Sequence, residues 1–276
     1  MTIDTTPAFC RAGFDLDLGR IPLLVSMPHM GSYIPADIAQ TLVPRARQSE
    51  DADWHMDRLY DFALDMGASV LRPRVSRYVV DLNRPPDDAP MYPGAANTEL
   101  CPTRFFTGEP LYQSGQEPSV EARLARRQAY WQPYHDALGQ ELKRLIALHG
   151  RVLLWDAHSI RSQLPWLFEG LLPDLNVGTA GGQSADPAIE RAVMQACLQD
   201  KRYSHVLNGR FKGGYITRHY GQPAQGVHAV QLELCQRHYM QEMAPYAYLP
   251  EQAELLQPTL ERMVRAAFVA LEGLSR

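Results

Sequence analysis

RVLLWDAHSI, residues 151–160, is the stretch on which the reading of this chain turns. Val152 to Trp155 form an unbroken apolar run, the pattern of a strand buried on both faces. The run then ends in Asp156, His158 and Ser159, side chains that burial alone would not select. A strand built for the interior that finishes in an acid and an imidazole is suited to carrying a metal ligand into a cleft.

Outward from this strand, apolar runs alternate with helical patterns. IPLLVSM (21–27), SVLRP (69–73), RYVVDL (77–82) and VHAVQLELC (227–235) read as further strands. DWHMDRLYDFALDMG (53–67) reads as a helix stopped by Gly67. A long helical pattern runs from Ser119, a good N-cap, to His149, with Gly150 as its stop and Pro133 bending or dividing it. In DPAIERAVMQACLQD (186–200), Asp186 caps a helix whose first position is Pro187. A last helix is expected from about Pro258 to Leu271. Strands separated by helices predict an α/β fold with a parallel or mixed sheet, in a single domain spanning 1–276. Between Arg84 and Pro118 the alternation lapses into a proline-rich loop, of the length that often serves as a lid or binding loop.

The bulk properties exclude several classes. The 276 residues carry 27 basic and 31 acidic side chains, a net charge of −4, with no basic block for nucleic acid. No apolar run approaches the ~18–20 residues of a membrane span. The first residues, MTIDTTPAFCRAGFDLDLG, lack the basic and apolar regions of a signal peptide, so a cytoplasmic location is expected. Cys10, Cys101, Cys197 and Cys235 form no CxxC pair and read as reduced thiols without a catalytic part. The sequence gives no reading of oligomeric state.

Ligands of open α/β sheets bind at the carboxyl ends of strands. Here those ends bring His29, then Asp81 with Asn83 and Arg84, then Asp156 with His158, and finally Glu233. Imidazole and carboxylate are the usual ligands of catalytic zinc, commonly three from the protein. His29 and His158 are the natural pair. HExxH is absent, so the site must be assembled from distant segments, with an acid from EDADWHMDRL as third ligand. Asp53 is the choice, Asp57 shares its helix face, and His55 is the rival. Glu233 lies between Leu232 and Leu234, and a carboxylate buried in a strand is costly unless it is paired or used. It is the candidate general base. Asn83-Arg84 suits bidentate recognition of a carboxylate. NGRFKGGYITRHYGQP (208–223) gathers Arg210, Lys212, Arg218 and His219 around Gly213-Gly214, where the backbone can approach a ligand closely. That cationic loop on an acidic chain points to a small anionic substrate.

Six blocks carry a resemblance: VSMPHMGSYIP (25–35), DADWHMDRLY (51–60), YVVDLNRPPDDAPMYPG (78–94), LLWDAHSIRS (153–162), NGRFKGGYITRHYGQP and VQLELCQRHYM (230–240). In this order they resemble the N-formylglutamate deformylase (N-formylglutamate amidohydrolase) family, which closes one route of histidine degradation. The site logic is similar to that of zinc carboxypeptidases and aspartoacylase. The resemblance implies a three-layer zinc-carboxypeptidase-like fold around a mixed sheet. It implies one zinc ion per chain and hydrolysis of N-formyl-L-glutamate to glutamate and formate. Residue by residue it implies His29 and His158 as ligands, Asn83 and Arg84 on the substrate carboxylate, and Glu233 as base. Those sites usually take a Glu three residues after the first His. Ser32 stands there, which returns the third ligand to Asp53. On this reading Arg218 stabilises the oxyanion, Arg77 or Arg218 takes a second carboxylate, and Asp156 orients His158. The alternatives are a zinc enzyme for another N-acyl amino acid, a carboxypeptidase, or a non-catalytic binder of metal or amino acid.

Overall fold

The chain is described from a computed structural model that covers residues 13–91 and 98–275. Cys10, most of the N-terminal stretch read above, and Tyr92, Pro93 and Gly94 of the third block lie outside the described residues. The strands are β1 (Phe14–Asp17), β2 (Leu23–Ser26), β3 (Ser69–Pro73), β4 (Val152–Ile160), β5 (Leu175–Gly178), β6 (His205–Leu207) and β7 (Val227–Cys235). They form one sheet in the order β1-β3-β2-β4-β7-β5-β6. β3, β2, β4 and β7 run parallel to one another. β1 pairs antiparallel with β3 and β5 antiparallel with β7, while β6 follows β5. The sheet is therefore mixed, with a parallel centre and reversed flanks. β4 and β7 are buried along their whole length, as the apolar run Val152–Trp155 predicts for β4.

Helices cover both faces. They are α1 (Ala36–Ala39), α2 (Met56–Leu59), α3 (Phe62–Met66), α4 (Val120–Arg126), α5 (Gln132–His149), α6 (Pro187–Leu198), α7 (Tyr215–Tyr220) and α8 (Pro250–Glu272). Val25, Trp155 and Leu232 face a core shared with α6 and α8, while Leu24, Leu154 and Ala229 face α5. Towards the carboxyl ends the second face turns polar, and the register shows how. Ser26, Asp156, Gln231 and Gly178 stand side by side in one row. His158, Glu233 and Asn176 form the next row, two residues further along β4 and β7. Because side chains alternate across a strand, both rows project from the same face.

Three local expectations need correction, for RYVVDL, for 53–67 and for the start of the last helix, while the long pattern from Ser119 holds. RYVVDL (77–82) is not a strand: Val79 N–H donates to Ser76 and Asp81 N–H to Leu100, turn and loop bonds rather than a ladder. Its apolar side chains divide between two cores, Tyr78 and Val79 with Phe105 and Leu111, Val80 and Leu82 with Trp131. The helix expected over 53–67 is two short pieces, α2 and α3, and Asp53 precedes both. The long pattern from Ser119 divides as Pro133 requires, into α4, a π-helical turn at Arg127–Trp131, and α5. Ser119 caps α4 through a bond from Ala122 N–H, and Gly150 ends α5 at φ 80°, a conformation costly for other residues. The last helix starts eight residues earlier than expected, with Pro250 in its first turn and Pro258 inside it. The 84–118 segment has no helix or named strand among its described residues, yet it is packed: Leu100, Phe105, Phe106, Leu111 and Tyr112 are buried.

Candidate metal centre and active site

β2 hands on to His29 within three residues, and the backbone carbonyl of His29 accepts the N–H of Asp53 at 2.9 Å. That bond places Asp53 beside the histidine, so Asp53 reaches the site from the connection ahead of α2, not from a shared helix face. β4 supplies His158 from inside the strand. The Nδ1 atoms of His29 and His158 lie 3.1 Å apart. Asp53 Oδ2 is 3.3 Å from His158 Nδ1 and 3.8 Å from His29 Nδ1. Ligands ~2.0–2.1 Å from a tetrahedral ion are about 3.3 Å from one another. All three side chains are buried, and neither oxygen of Asp53 accepts a hydrogen bond. Two orphaned carboxylate oxygens facing two imidazole nitrogens suit a divalent cation, and among the described residues this is the one group of its kind.

The surrounding groups set the tautomers. His29 Nε2–H donates to Asp81 Oδ1 at 2.7 Å, which leaves the Nδ1 lone pair for an ion. Burial and then the Arg77 guanidinium hold the His29 imidazole below its usual range. Asp81 also accepts from Arg77 Nη2 at 2.6 Å. Burial opposes its charge, but His29 and Arg77 outweigh that and keep it well below the usual carboxylate range. His158 Nε2 is 3.2 Å from Asp156 Oδ1 and 2.9 Å from Asn83 Nδ2. Burial opposes its charged form, yet the carboxylates of Asp156, Asp53 and Glu233 raise it well above the imidazole range.

Glu233 stands next to His158 across β7 and β4 and lines the cleft over the triad. Burial first, and then the negative charge of Asp53, push its carboxyl up to about 8 against the pull of His158 and Arg77. Asn83 is buried, with Oδ1 accepting Ile216 N–H at 2.8 Å. Arg84 lines the cleft on a fixed mount: its guanidinium donates to Thr98, from the proline-rich loop, and to the Asn83 carbonyl. Gly214 packs against this turn so tightly that a Cβ would come within 2.3 Å of the Asn83 amide. The close approach allowed by Gly213-Gly214 is thus to another part of the protein. Gly214 N–H also donates to Gln231 Oε1, and Thr217 Oγ1 donates to Asp156, which seats α7 on the polar rows.

The remaining expected residues divide. Arg77 is buried, lines the cleft and brings Nη1 to 3.3 Å from His29 Nδ1. Arg218 is exposed on α7, donates through Nε to the Gly213 carbonyl, and is not among the residues lining the cleft. His55 turns away, its Nε2 2.8 Å from the Tyr246 carbonyl, and Asp57 is exposed. Sequence reasoning passed over Thr98, Phe106 and Gln231, and gave Arg210 no individual part, although all four line the cleft. Nothing local marks Thr98 or Phe106, but the polar Gln231 two residues before Glu233 on one strand face was a readable signal.

The family model for N-formylglutamate amidohydrolase matches residues 21–240. N-formylglutamate deformylase of Pseudomonas aeruginosa is 53% identical over 248 residues, 90% of this chain and 93% of that protein. N-formylglutamate deformylase of Pseudomonas putida is 51% identical over 90% of this chain and 92% of its own length. The crystal structure of N-formylglutamate amidohydrolase from Ralstonia eutropha JMP134 superposes with a TM-score of 0.81 at 26% identity, covering 95% of this chain and all of that one. The chain belongs to the N-formylglutamate amidohydrolase family.

Proposed function

We propose that this chain hydrolyses N-formyl-L-glutamate to L-glutamate and formate, using one zinc ion held by His29, Asp53 and His158. The observation that carries the reading is the convergence of two imidazole Nδ1 atoms and an unsatisfied carboxylate next to the buried Glu233. Such an ion supplies Lewis acidity, which activates water near neutral pH and polarises a carbonyl oxygen. Glu233 takes a proton from the attacking water and returns it to the departing glutamate nitrogen. With a cation beside it, its carboxylate titrates closer to neutrality than in the metal-free chain, which suits taking and returning a proton. Arg84 grips the substrate carboxylate nearest the amide. Asn83, its amide engaged by Ile216 and next to His158, sets the position of that turn and touches the His158 edge. Arg77 rather than Arg218 serves the developing oxyanion, because its guanidinium reaches the triad. Asp81 and Asp156 orient the two histidines.

We also read the chain as one catalytic domain, since strands from residue 14 to residue 235 join one sheet. A cytoplasmic setting, in histidine degradation, suits the buried, unpaired Cys101, Cys197 and Cys235 and a substrate that is a small metabolite. No helix of the described residues is long and apolar enough to cross a membrane. Formate release measured beside metal content tests the function. Glu233→Gln is expected to keep zinc and lose nearly all turnover, and His158→Ala to lose the metal. Near-normal formate release by Glu233→Gln removes Glu233 as base, and full zinc occupancy in His158→Ala removes that ligand. Comparison of formyl-glutamate with acetyl-glutamate and formyl-aspartate separates this reading from the other amidohydrolases.

A further inference from the structure

The cleft carries three guanidiniums, from Arg77, Arg84 and Arg210. Their charges are not equally available. Arg77 is paired with Asp81 at 2.6 Å. Arg84 donates to Thr98 and to a backbone carbonyl, both uncharged, and forms no ion pair among the described residues. Arg210 makes neither an ion pair nor a hydrogen bond with any described residue, and its Nε is buried without a partner. Two guanidiniums without a directly contacting carboxylate among the described residues thus border one cleft, an arrangement that two negative charges on a ligand would satisfy.

The two reach the cleft from different segments of the chain. Arg84 lines the cleft directly after Asn83, whose amide is 2.9 Å from His158 Nε2. Arg210 precedes Phe211, which with Leu167, Ile160 and Phe106 forms an apolar cluster lining the same cleft and suited to methylene groups. Its loop is anchored on both sides: Asn208 N–H donates to Val177 and Asn208 Oδ1 accepts Thr179 N–H at 2.9 Å, while the Lys212 carbonyl accepts Ala180 N–H. Phe211 is further braced by an edge contact with Phe168.

Resting on the reading that N-formyl-L-glutamate is the substrate, we propose that Arg210 binds its distal, side-chain carboxylate and so selects glutamate over neutral side chains. Arg84 then holds the carboxylate adjacent to the scissile amide, and the apolar wall covers the two methylenes between them. The test compares kcat/KM for N-formyl-L-glutamate and N-formyl-L-glutamine, which differ only at the distal group, on the zinc-loaded protein. A charge-assisted bond to the distal carboxylate predicts a wild-type preference for the glutamate substrate of roughly 10- to 100-fold. Arg210→Gln is expected to bring that ratio close to about one, whereas Lys212→Gln, exposed on the same loop, is expected to retain it. A wild type that does not discriminate overturns the assignment without any variant. So does an Arg210→Gln protein that discriminates as before, or one that loses both activities in equal proportion. Failure of the wild type to release formate from either substrate overturns the activity itself, and the assignment with it.

Discussion

Asp53 presents two buried oxygens with no hydrogen-bond donor, and His158 is drawn to its charged form by the acids around it. In the metal-free chain the triad is therefore a proton-holding site, and Glu233, pushed up to about 8, is protonated beside it at neutral pH. Metal binding must displace protons. Zinc uptake at pH 7 is expected to release about one proton from His158 and part of another from Glu233. Glu233→Gln removes the second share. Above pH 8 that share is absent from the wild type as well, because the metal-free carboxyl has already ionised, so the two proteins converge there. Titration calorimetry in buffers of different ionisation enthalpy measures both numbers, and equal release by both proteins at pH 7 rules out the coupling. A second expectation concerns Asp81, which fixes the His29 tautomer. Asp81→Asn should weaken zinc binding by roughly 10- to 100-fold, read by competition with a chelating dye, and unchanged affinity would sink that orienting role. The two histidines of the candidate triad were legible in sequence, because imidazoles at the ends of buried strands have few other uses. Arg218 was not: charge composition alone could not show that α7 turns this arginine outward while the preceding loop presents Arg210.

At the scale of elements, the site depends on how α5, α7 and the Asn83–Arg84 turn hold one another. His135 on α5 is the hub. It stacks on Trp131 with ring centroids 3.8 Å apart, its Nε2–H donates to the Leu82 carbonyl at 2.9 Å, and its Nδ1 is 3.0 Å from Tyr220 Oη on α7. Burial pushes its imidazole down to about 3. The unfolded chain, with an ordinary histidine near ~6.5, then binds the extra proton as pH falls. His135 thus contributes stability that is complete above that value and is lost between roughly pH 6.5 and 3. His135→Gln is expected to reduce the acid-side slope of unfolding free energy by up to about 1.4 kcal/mol per pH unit in that window. Urea unfolding from pH 4 to 7 measures the slope, and an unaltered slope would refute the linkage. Gly214→Ala should cost about 1–3 kcal/mol, because the added methyl meets the buried Asn83 amide. α6 was readable from its capped helical start, and β4 and β7 because their largely apolar stretches extend over nine residues, enough to cross the centre of a sheet. RYVVDL was misread for a physical reason: a run of buried apolar residues also describes a turn whose side chains serve two cores.

Across the whole molecule, the proposed metal ligands are drawn from β4, from the end of β2, and from the connection into α2, with His158 more than a hundred residues beyond His29 and Asp53. An ion at that point ties the centre of the sheet to the chain that leaves it, and it binds only where the three segments have already come together. Folding and metal binding are consequently linked. Zinc at 100 times its dissociation constant is expected to stabilise the fold by about 2.7 kcal/mol, and at 1,000 times by about 4.1 kcal/mol. Thermal unfolding with and without a chelator reads this directly. The increment should vanish in His29→Ala, where one of the two facing nitrogens is gone, and should persist in Glu233→Gln, whose carboxyl stands beside the triad without belonging to it. The two variants separate a metal that holds the sheet and its connections together from one adsorbed elsewhere on an acidic surface. Adsorbed metal would raise the melting temperature of all three proteins alike, and that result would dissolve the link between this centre and the fold that carries it.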